Sequence, residues 1–510
     1  MRNLKFYLAA CSLWLFFAEH PAAHVGNQAS VLEGDAGPFR VRVIAKAPGV
    51  VPGIAEISVR VLRGEALTVT VQPIHSSVGP EGSPRPDPTK RVEGTTDLFT
   101  GELWLMENGA YLVSVTVKGE AGEGTLDIPL NSIATKPVTM PPWMVIILLG
   151  LAFILVSLFV SMLYAAALNS TKPADQRVAT SDRIRAVIVT MAGTGFLSWL
   201  LYGGWNWWQA EDAHYKNNRM YRALKMEAQS RFSDNQATRL VSLSLDSESL
   251  RRRAGFAADH GKLMHLFAIR TPQLDAFAHL HPFFRENGEF EFQFPPLPGG
   301  DYLLYGDVAY EDGFSETATS LVHIPKLPES SQFRNAVIEN SGQLSDPICG
   351  IVSLEELQID PDAPIKPDPD DSWHLSRSDA SETQAIIPLA EGLRMEWKTG
   401  PRPMVGETSE MNFRIIDAQG RPTSIQPYLG MNGHAVVRKT DGMVYSHLHP
   451  SGTTIMPTMK KIEVSSSNAT SVSFPYLFPM AGDYQLWVQL RHNNRVYTGT
   501  FTTHVQDALQ

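Results

Sequence analysis

Residues 279–282 and 447–450 both read His-Leu-His-Pro. In a strand, residues i and i+2 point to the same face. His279 and His281 therefore share a face, as do His447 and His449. The segment before each pair reads as the other arm of a hairpin, headed by His265 in the first case and His434 in the second. Asp441-Gly442 is a strong turn signal for the second hairpin, and residues 271–273 serve the first. Folding about these turns brings His265 or His434 across from its pair, where opposed side chains stand roughly 5 Å apart. Three neutral imidazoles on one face, with a fourth position open, suit zinc, copper or nickel.

The two hairpins belong to a duplication. Residues 263–282 match 432–450, 294–304 match 474–486, and 320–325 match 501–506, in the same order. Four histidines pair between the copies: His265 with His434, His279 with His447, His281 with His449, and His323 with His504. The last pair is a candidate source of the fourth ligand. Duplication alone would carry histidines along, and structural hydrogen-bonding roles are the competing reading. Protonated imidazoles crowded on one face would, however, repel one another. Without thiolates, a nitrogen-only set favours copper over zinc in the affinity order. Met431, Met443, Met456 and Met459 near the second set offer thioethers for Cu(I), or simply fill core. Asp259 and His260 flank the first set and have no counterpart in the second. His24 and His75 raise a separate possibility, an N-terminal amine and imidazole sharing a metal with a second histidine.

The elements carrying these residues are mostly strands. Residues 24–138 hold runs such as FRVRVIAKAP and GAYLVSVTVKG, bounded by Gly, Pro or Asn, and predict one antiparallel β-sandwich. Strand patterning resumes over 236–326 and 391–510, one region for each His-Leu-His-Pro copy. Between them, 327–390 is rich in Pro, Asp and Ser and reads as an extended, exposed connector. The fold class is mainly β, with three Ig-like antiparallel sandwiches and a two-helix transmembrane hairpin. The hairpin comes from two apolar runs, 141–168 and 185–208, the second uncharged from 186 on, each long enough to span a bilayer. Trp205, Trp207 and Trp208 end the second run as an interfacial belt would. Residues 209–235 read as a helical stalk.

Residues 1–23 carry the basic start, short apolar stretch and small-residue site of a secretory signal, whose removal would leave His24 first. Lys172, Arg177 and Arg183, with Arg185 at the boundary, make 169–184 a cytoplasmic loop under the positive-inside rule. Both flanking regions are then extracytoplasmic, at a bacterial inner membrane. The 510 residues carry a net charge of −10, which argues against nucleic acid as a partner. With only Cys11 and Cys349, a disulfide framework within the chain is excluded once the leader is gone. No nucleophile elbow, phosphate loop or His-Glu-x-x-His motif occurs, so an enzyme is not expected.

The first domain, with His24 at its mature start and short strands ending in GAYLVSVTVKG, resembles the CopC-like and YtkA-like extracytoplasmic β-sandwiches of bacteria. In copper-binding CopC-like proteins an N-terminal histidine is a ligand, a role the resemblance would carry to His24 alone. The Met-rich copper motif of some members is absent. The His-Leu-His-Pro domains are similar to modules of uncharacterised bacterial membrane proteins. The expectation is a membrane-anchored protein that binds and passes or buffers a transition metal, with an envelope protein or metal acceptor as partner. The alternative is an envelope interaction scaffold with structural histidines.

Overall fold

The structure, a computed structural model, describes residues 24–25, 29–137, 139–169, 178–233, 238–251, 253–327, 351–353, 365–376, 385–398, 402–451 and 469–507. The signal segment, Cys11, Cys349, Lys172, Met456, Met459 and most of the insertion after the second His-Leu-His-Pro lie outside these residues. The chain is mainly β, with several antiparallel sheets and two long apolar helices. It divides into two units, 133–221 and the remainder.

The first unit is the helical pair, α1 (Pro142–Asn169) and α2 (Thr180–His214), both long and apolar enough to cross a membrane. Gly193 lets the helices approach closely: a Cβ there would lie 2.7 Å from Leu163 Cδ1. Along α2 the hydroxyls of Thr190, Thr194 and Ser198 donate to carbonyls one turn earlier, at 2.8, 2.7 and 2.9 Å. That satisfies polar groups which a hydrocarbon environment would otherwise penalise.

The second unit contains three sandwiches. Residues 29–132 form two sheets around Phe39, Val43, Ile57, Val71, Val113 and Val115, all essentially inaccessible. Strict period-two alternation, as in Phe39–Lys46, is what one buried face dictates. The copies follow a common plan. In each, a hairpin (His265–Arg270 with Ala276–Leu280, or His434–Lys439 with Val444–Leu448) pairs with a long strand, Gly300–Tyr310 or Gly482–His492. Gly442, at φ 82°, occupies the turn that Asp441-Gly442 predicts.

The hairpin strands do not alternate. Every residue of Ala276–Leu280 is buried, because the sheet is covered on both faces. One face meets its own sandwich core. The other meets the second copy, through a cluster of Phe267, Ile269, Leu274, Phe277 and Tyr305 from copy 1 with Val436, Tyr445 and Trp487 from copy 2. Tyr305 stacks on Tyr445 at 3.7 Å and 4°, and Phe277 on Trp487 at 5.2 Å and 10°. These two contacts are equivalent under exchange of the copies, since Tyr305 corresponds to Trp487 and Phe277 to Tyr445. The sandwiches therefore pack as a two-fold-like pair, His face to His face. The first sandwich joins them through Arg42 to Glu410 (3.0 Å), Asn131 to Ser315 (2.8 Å), and His24–Val25 alongside Val444 and Tyr445.

Three expectations are corrected. The helical stalk ends early: after His214 and one π turn, Met226–Phe232 is a strand of copy 1. Its residues are adequate helix formers, but pairing with Arg239–Leu245 overrides propensity. The connector over 327–390 is not wholly exposed. Ile351–Ser353 and Ser372–Leu375 add edge strands to the copy 1 sheet, and Asp370, Asp371 and Ser372 are buried. Copy 1 is accordingly wider than 236–326.

Trp487 is fully buried between the copies, whereas Trp104 is 62% exposed. Trp487→Ala should destabilise the protein by about 3–5 kcal/mol, and Trp104→Ala by less than about 0.5 kcal/mol. Denaturant titration of both variants checks this, and equal midpoints would contradict the interface.

Candidate metal centre

Backbone register sets the site. Phe267 pairs with His279 and Leu266 with Leu280, so His265 sits across from His281 with His279 beside it. The second hairpin repeats this, with Val436 opposite His447 and Ala435 opposite Leu448. Gly433 permits the entry of His434: a Cβ there would stand 2.8 Å from the Gln489 carbonyl oxygen and 2.6 Å from Leu490 Cδ2. The result is two triads, His265–His279–His281 and His434–His447–His449, each with its ligand nitrogens within 4.8 Å of one another.

Oxygen acceptors around the rim fix the ring tautomers. His265 Nε2 faces the Asp259 carbonyl oxygen at 3.1 Å, and His434 Nε2 faces that of Tyr428 at 3.3 Å. His279 Nδ1 faces Gln489 Oε1 at 2.9 Å, His447 Nδ1 faces Asp307 Oδ2 at 3.1 Å, and His281 Nδ1 faces Asp371 Oδ1 at 3.1 Å. Carbonyl and carboxylate oxygens only accept, so each of these nitrogens carries its ring's proton. A neutral imidazole has one proton, so the inward nitrogens are lone pairs. His265 Nδ1 then opposes His279 Nε2 at 3.0 Å, and His434 Nδ1 opposes His447 Nε2 at 3.1 Å. His281 Nε2 and His449 Nε2 are buried with no hydrogen-bond partner among the described residues. Two lone pairs at such a distance repel unless a cation stands between them. Nitrogens bound tetrahedrally at 2.0–2.1 Å would lie about 3.3–3.4 Å apart, only slightly wider than observed. The donor set fits a nitrogen-ligated transition metal.

Electrostatics supports the neutral form. Burial pushes the His265 imidazole down to about 4, against the upward pull of the Asp259 carboxylate and with His447 and His260 adding to the lowering. Burial first, then neighbouring cationic groups, hold His279, His281, His434 and His449 well below the ordinary histidine range. Burial also raises the Asp371 carboxyl, against the backbone N–H groups of His281 and Asp368.

His323 and His504 do not join the triads. Each lies on the last strand, far along the ladder from its triad, exposed, and bound to an aspartate: His323 to Asp301 and His504 to Asp483, both at 2.7 Å. Asp259 and His260 flank the second triad as well as the first: the His260 ring is 5.7 Å from His449, and Asp259, His260 and His449 form a third grouping. His75 is engaged by Ser77 (2.7 Å) and the Asn108 carbonyl (3.3 Å). The backbone of His24 pairs with Val444, in the strand that carries His447. Met431 is buried beside Tyr428, with which it exchanges backbone bonds.

Four residues that complete the rim escape a histidine-centred reading. Asp307 and Gln489 occupy matching positions, opposite His265 and His434 in the long strands. Extending the repeat alignment by three residues beyond Leu304 and Leu486 would find both. Asp368 and Asp371 come from the acidic stretch of the connector. Asp371 holds His281, and Lys262 reaches Asp368 at 2.6 Å and Asp370 at 2.9 Å.

Residues 389–507, the second copy, match a family described as "Domain of unknown function (DUF8832)". No curated protein matches the chain. Among solved structures, a tetra-tandem repeat from the extending region of a large adhesion protein is 7% identical, with 90% of this chain and 71% of that one covered, at a TM-score of 0.15. A putative membrane anchored protein from Corynebacterium diphtheriae is 8% identical, with 94% and 93% covered, also at 0.15. Latent PorU from Porphyromonas gingivalis is 10% identical, with 94% and 34% covered, at 0.14. Scores this low carry no argument about the chain.

The depressed imidazoles set a pH dependence. The unfolded chain takes up histidine protons near pH 6.5, before the native state does. Stability is thus complete above about pH 6.5 and falls as pH drops toward 4, the His265 value, by up to about 1.4 kcal/mol per pH unit for each such imidazole. Denaturation of metal-free protein should give a lower midpoint at pH 5 than at pH 7, and an unchanged or higher one would contradict this.

Proposed function

We propose that this protein binds a transition metal ion, copper ahead of zinc, at the histidine triads, and buffers it or passes it to an acceptor outside the cytoplasm. The observation that carries the reading is the pair of opposed lone pairs, His265 Nδ1 with His279 Nε2 and His434 Nδ1 with His447 Nε2. An extra proton in each pair would relieve the repulsion but would bury a net charge among desolvated rings, at a cost of several kcal/mol. A bound cation relieves it while using every inward nitrogen. Neutral imidazoles without thiolate favour copper in the affinity order. The bound metal would supply a positive charge held by His265, His279 and His281 or by His434, His447 and His449, with the outer oxygens orienting the rings.

The protein is proposed to sit at the bacterial inner membrane through α1 and α2, with its sandwiches extracytoplasmic. In support, the regions before and after the helical pair belong to one compact unit, which requires both to lie on the same side of any membrane the pair crosses. The rival, a non-enzymatic envelope scaffold with structural histidines, gives no account of lone pairs facing each other in a desolvated site.

Chelator-stripped full-length protein in detergent, dialysed against equal Cu(II) and Zn(II), should retain mainly copper. Replacing His279, His281, His447 and His449 with Ala should abolish retention, and equal metal in both proteins would sink the proposal. For topology, with Cys11 and Cys349 replaced, a cysteine at Glu311 should react with an impermeant maleimide on spheroplasts, whereas one at Lys172 should not. The reverse pattern would refute the orientation.

A further inference from the structure

We infer that the two triads form a single two-metal centre shared between the duplicated domains, in which each copy orients a ligand of the other and the two metal positions are chemically unequal. This rests on the metal-binding reading and goes beyond it in number, coupling and asymmetry.

The rings form one cluster. Within the triads, ring centroids are 4.6–5.6 Å apart. Across the copies His279 lies 5.5 Å from His434, His265 lies 5.8 Å from His447, and His265 lies 6.3 Å from His434. The gap between triads is hardly wider than the spacing inside them. Two cations held here would share a desolvated space, and a small bridging anion would offset their repulsion.

The orienting contacts cross the interface. His279 of copy 1 donates to Gln489 of copy 2, and His447 of copy 2 donates to Asp307 of copy 1. Gln489 is itself anchored by donating to Ser372 and Thr498, and Asp307 by accepting from Thr317. Asp259 and His260, beside His449, also come from copy 1. The crossing follows from the packing: residues 265, 279 and 307 lie on the face of copy 1 that meets residues 434, 447 and 489 of copy 2.

Asp307 and Gln489 are equivalent in position and different in chemistry. A carboxylate behind a ligating imidazole raises its basicity and fixes its tautomer, and losing such a partner typically costs 10–100-fold in metal affinity. An amide oxygen polarises the ring less. The two positions are therefore backed differently: His447 by the Asp307 carboxylate of copy 1, and in the copy 1 triad His279 by the Gln489 amide and His281 by Asp371. Asp307 and Gln489 act as positioning residues.

Cu(II) titrated into stripped full-length protein in detergent tests this. Two coppers per chain should bind in two steps. Once both are bound, the EPR spectrum should depart from that of isolated Cu(II), by dipolar broadening or, where an anion bridges the ions, by lost intensity, because two spins in one cluster couple. Asp307→Asn should weaken one step about 10–100-fold and leave the other, whereas Gln489→Glu should tighten the step that Asp307→Asn leaves. A spectrum of two isolated Cu(II) ions, or a single copper per chain, would overturn the shared centre while leaving metal binding intact. Two unaltered steps in Asp307→Asn would overturn the asymmetry. Failure to bind any copper would overturn both readings. The spin measurement uses the unmodified chain, so it stands even if a variant folds poorly.

Discussion

The constraint on which the rest depends is that each hairpin sheet is buried on both faces. A sheet covered on one side needs only alternation; here the second face must also find apolar or satisfied partners. The two copies solve this by covering each other, with Tyr305 on Tyr445 and Phe277 on Trp487, and they draw their histidines largely out of solvent. Burial favours neutral rings at His265, His279, His281, His434 and His449, a neutral ring held at one nitrogen leaves a lone pair on the other, and the outer oxygens keep those lone pairs aimed at one another. Packing, protonation and ligand geometry are thus consequences of one interface.

The outer oxygens matter as much as the rings. A histidine with both nitrogens free chooses its tautomer by small energies, whereas Asp259, Tyr428, Gln489, Asp307 and Asp371 leave five of the six rings one choice each. These contacts come from a short strand, a loop, the long strands or the connector, so elements that give no histidine to the triads still determine what the triads can do. The buried Asp371 and its neighbours tie the connector to the copy 1 sheet, with Lys262 bridging Asp368 and Asp370.

Much of this was legible in the sequence. The i, i+2 spacing placed His279 with His281 and His447 with His449, the Asp-Gly turn placed His434 opposite them, and the repeat predicted two equivalent triads. The mainly β class and the apolar helices also followed from periodicity and composition. Sequence could not show that the triads meet, because nothing in a local pattern tells which face of one domain touches another. His323 and His504 misled for a related reason. Pairing between copies marks common ancestry, and these two sit at the exposed end of the ladder, each satisfied by an aspartate. Met226–Phe232 and Ser372–Leu375 were misread because edge pairing, a tertiary effect, outweighed helix propensity in one and polar composition in the other.

The matched positions of Asp307 and Gln489 have an evolutionary consequence. A homodimer of one such domain would be bound by its symmetry axis to set the same residue behind both histidines. Fusing the copies into one chain removes that obligation, and each side is then free to drift. A carboxylate on one side and an amide on the other is a difference that no symmetric ancestor could have selected. The duplication would thus have done more than double a site: it made two halves that can be tuned separately.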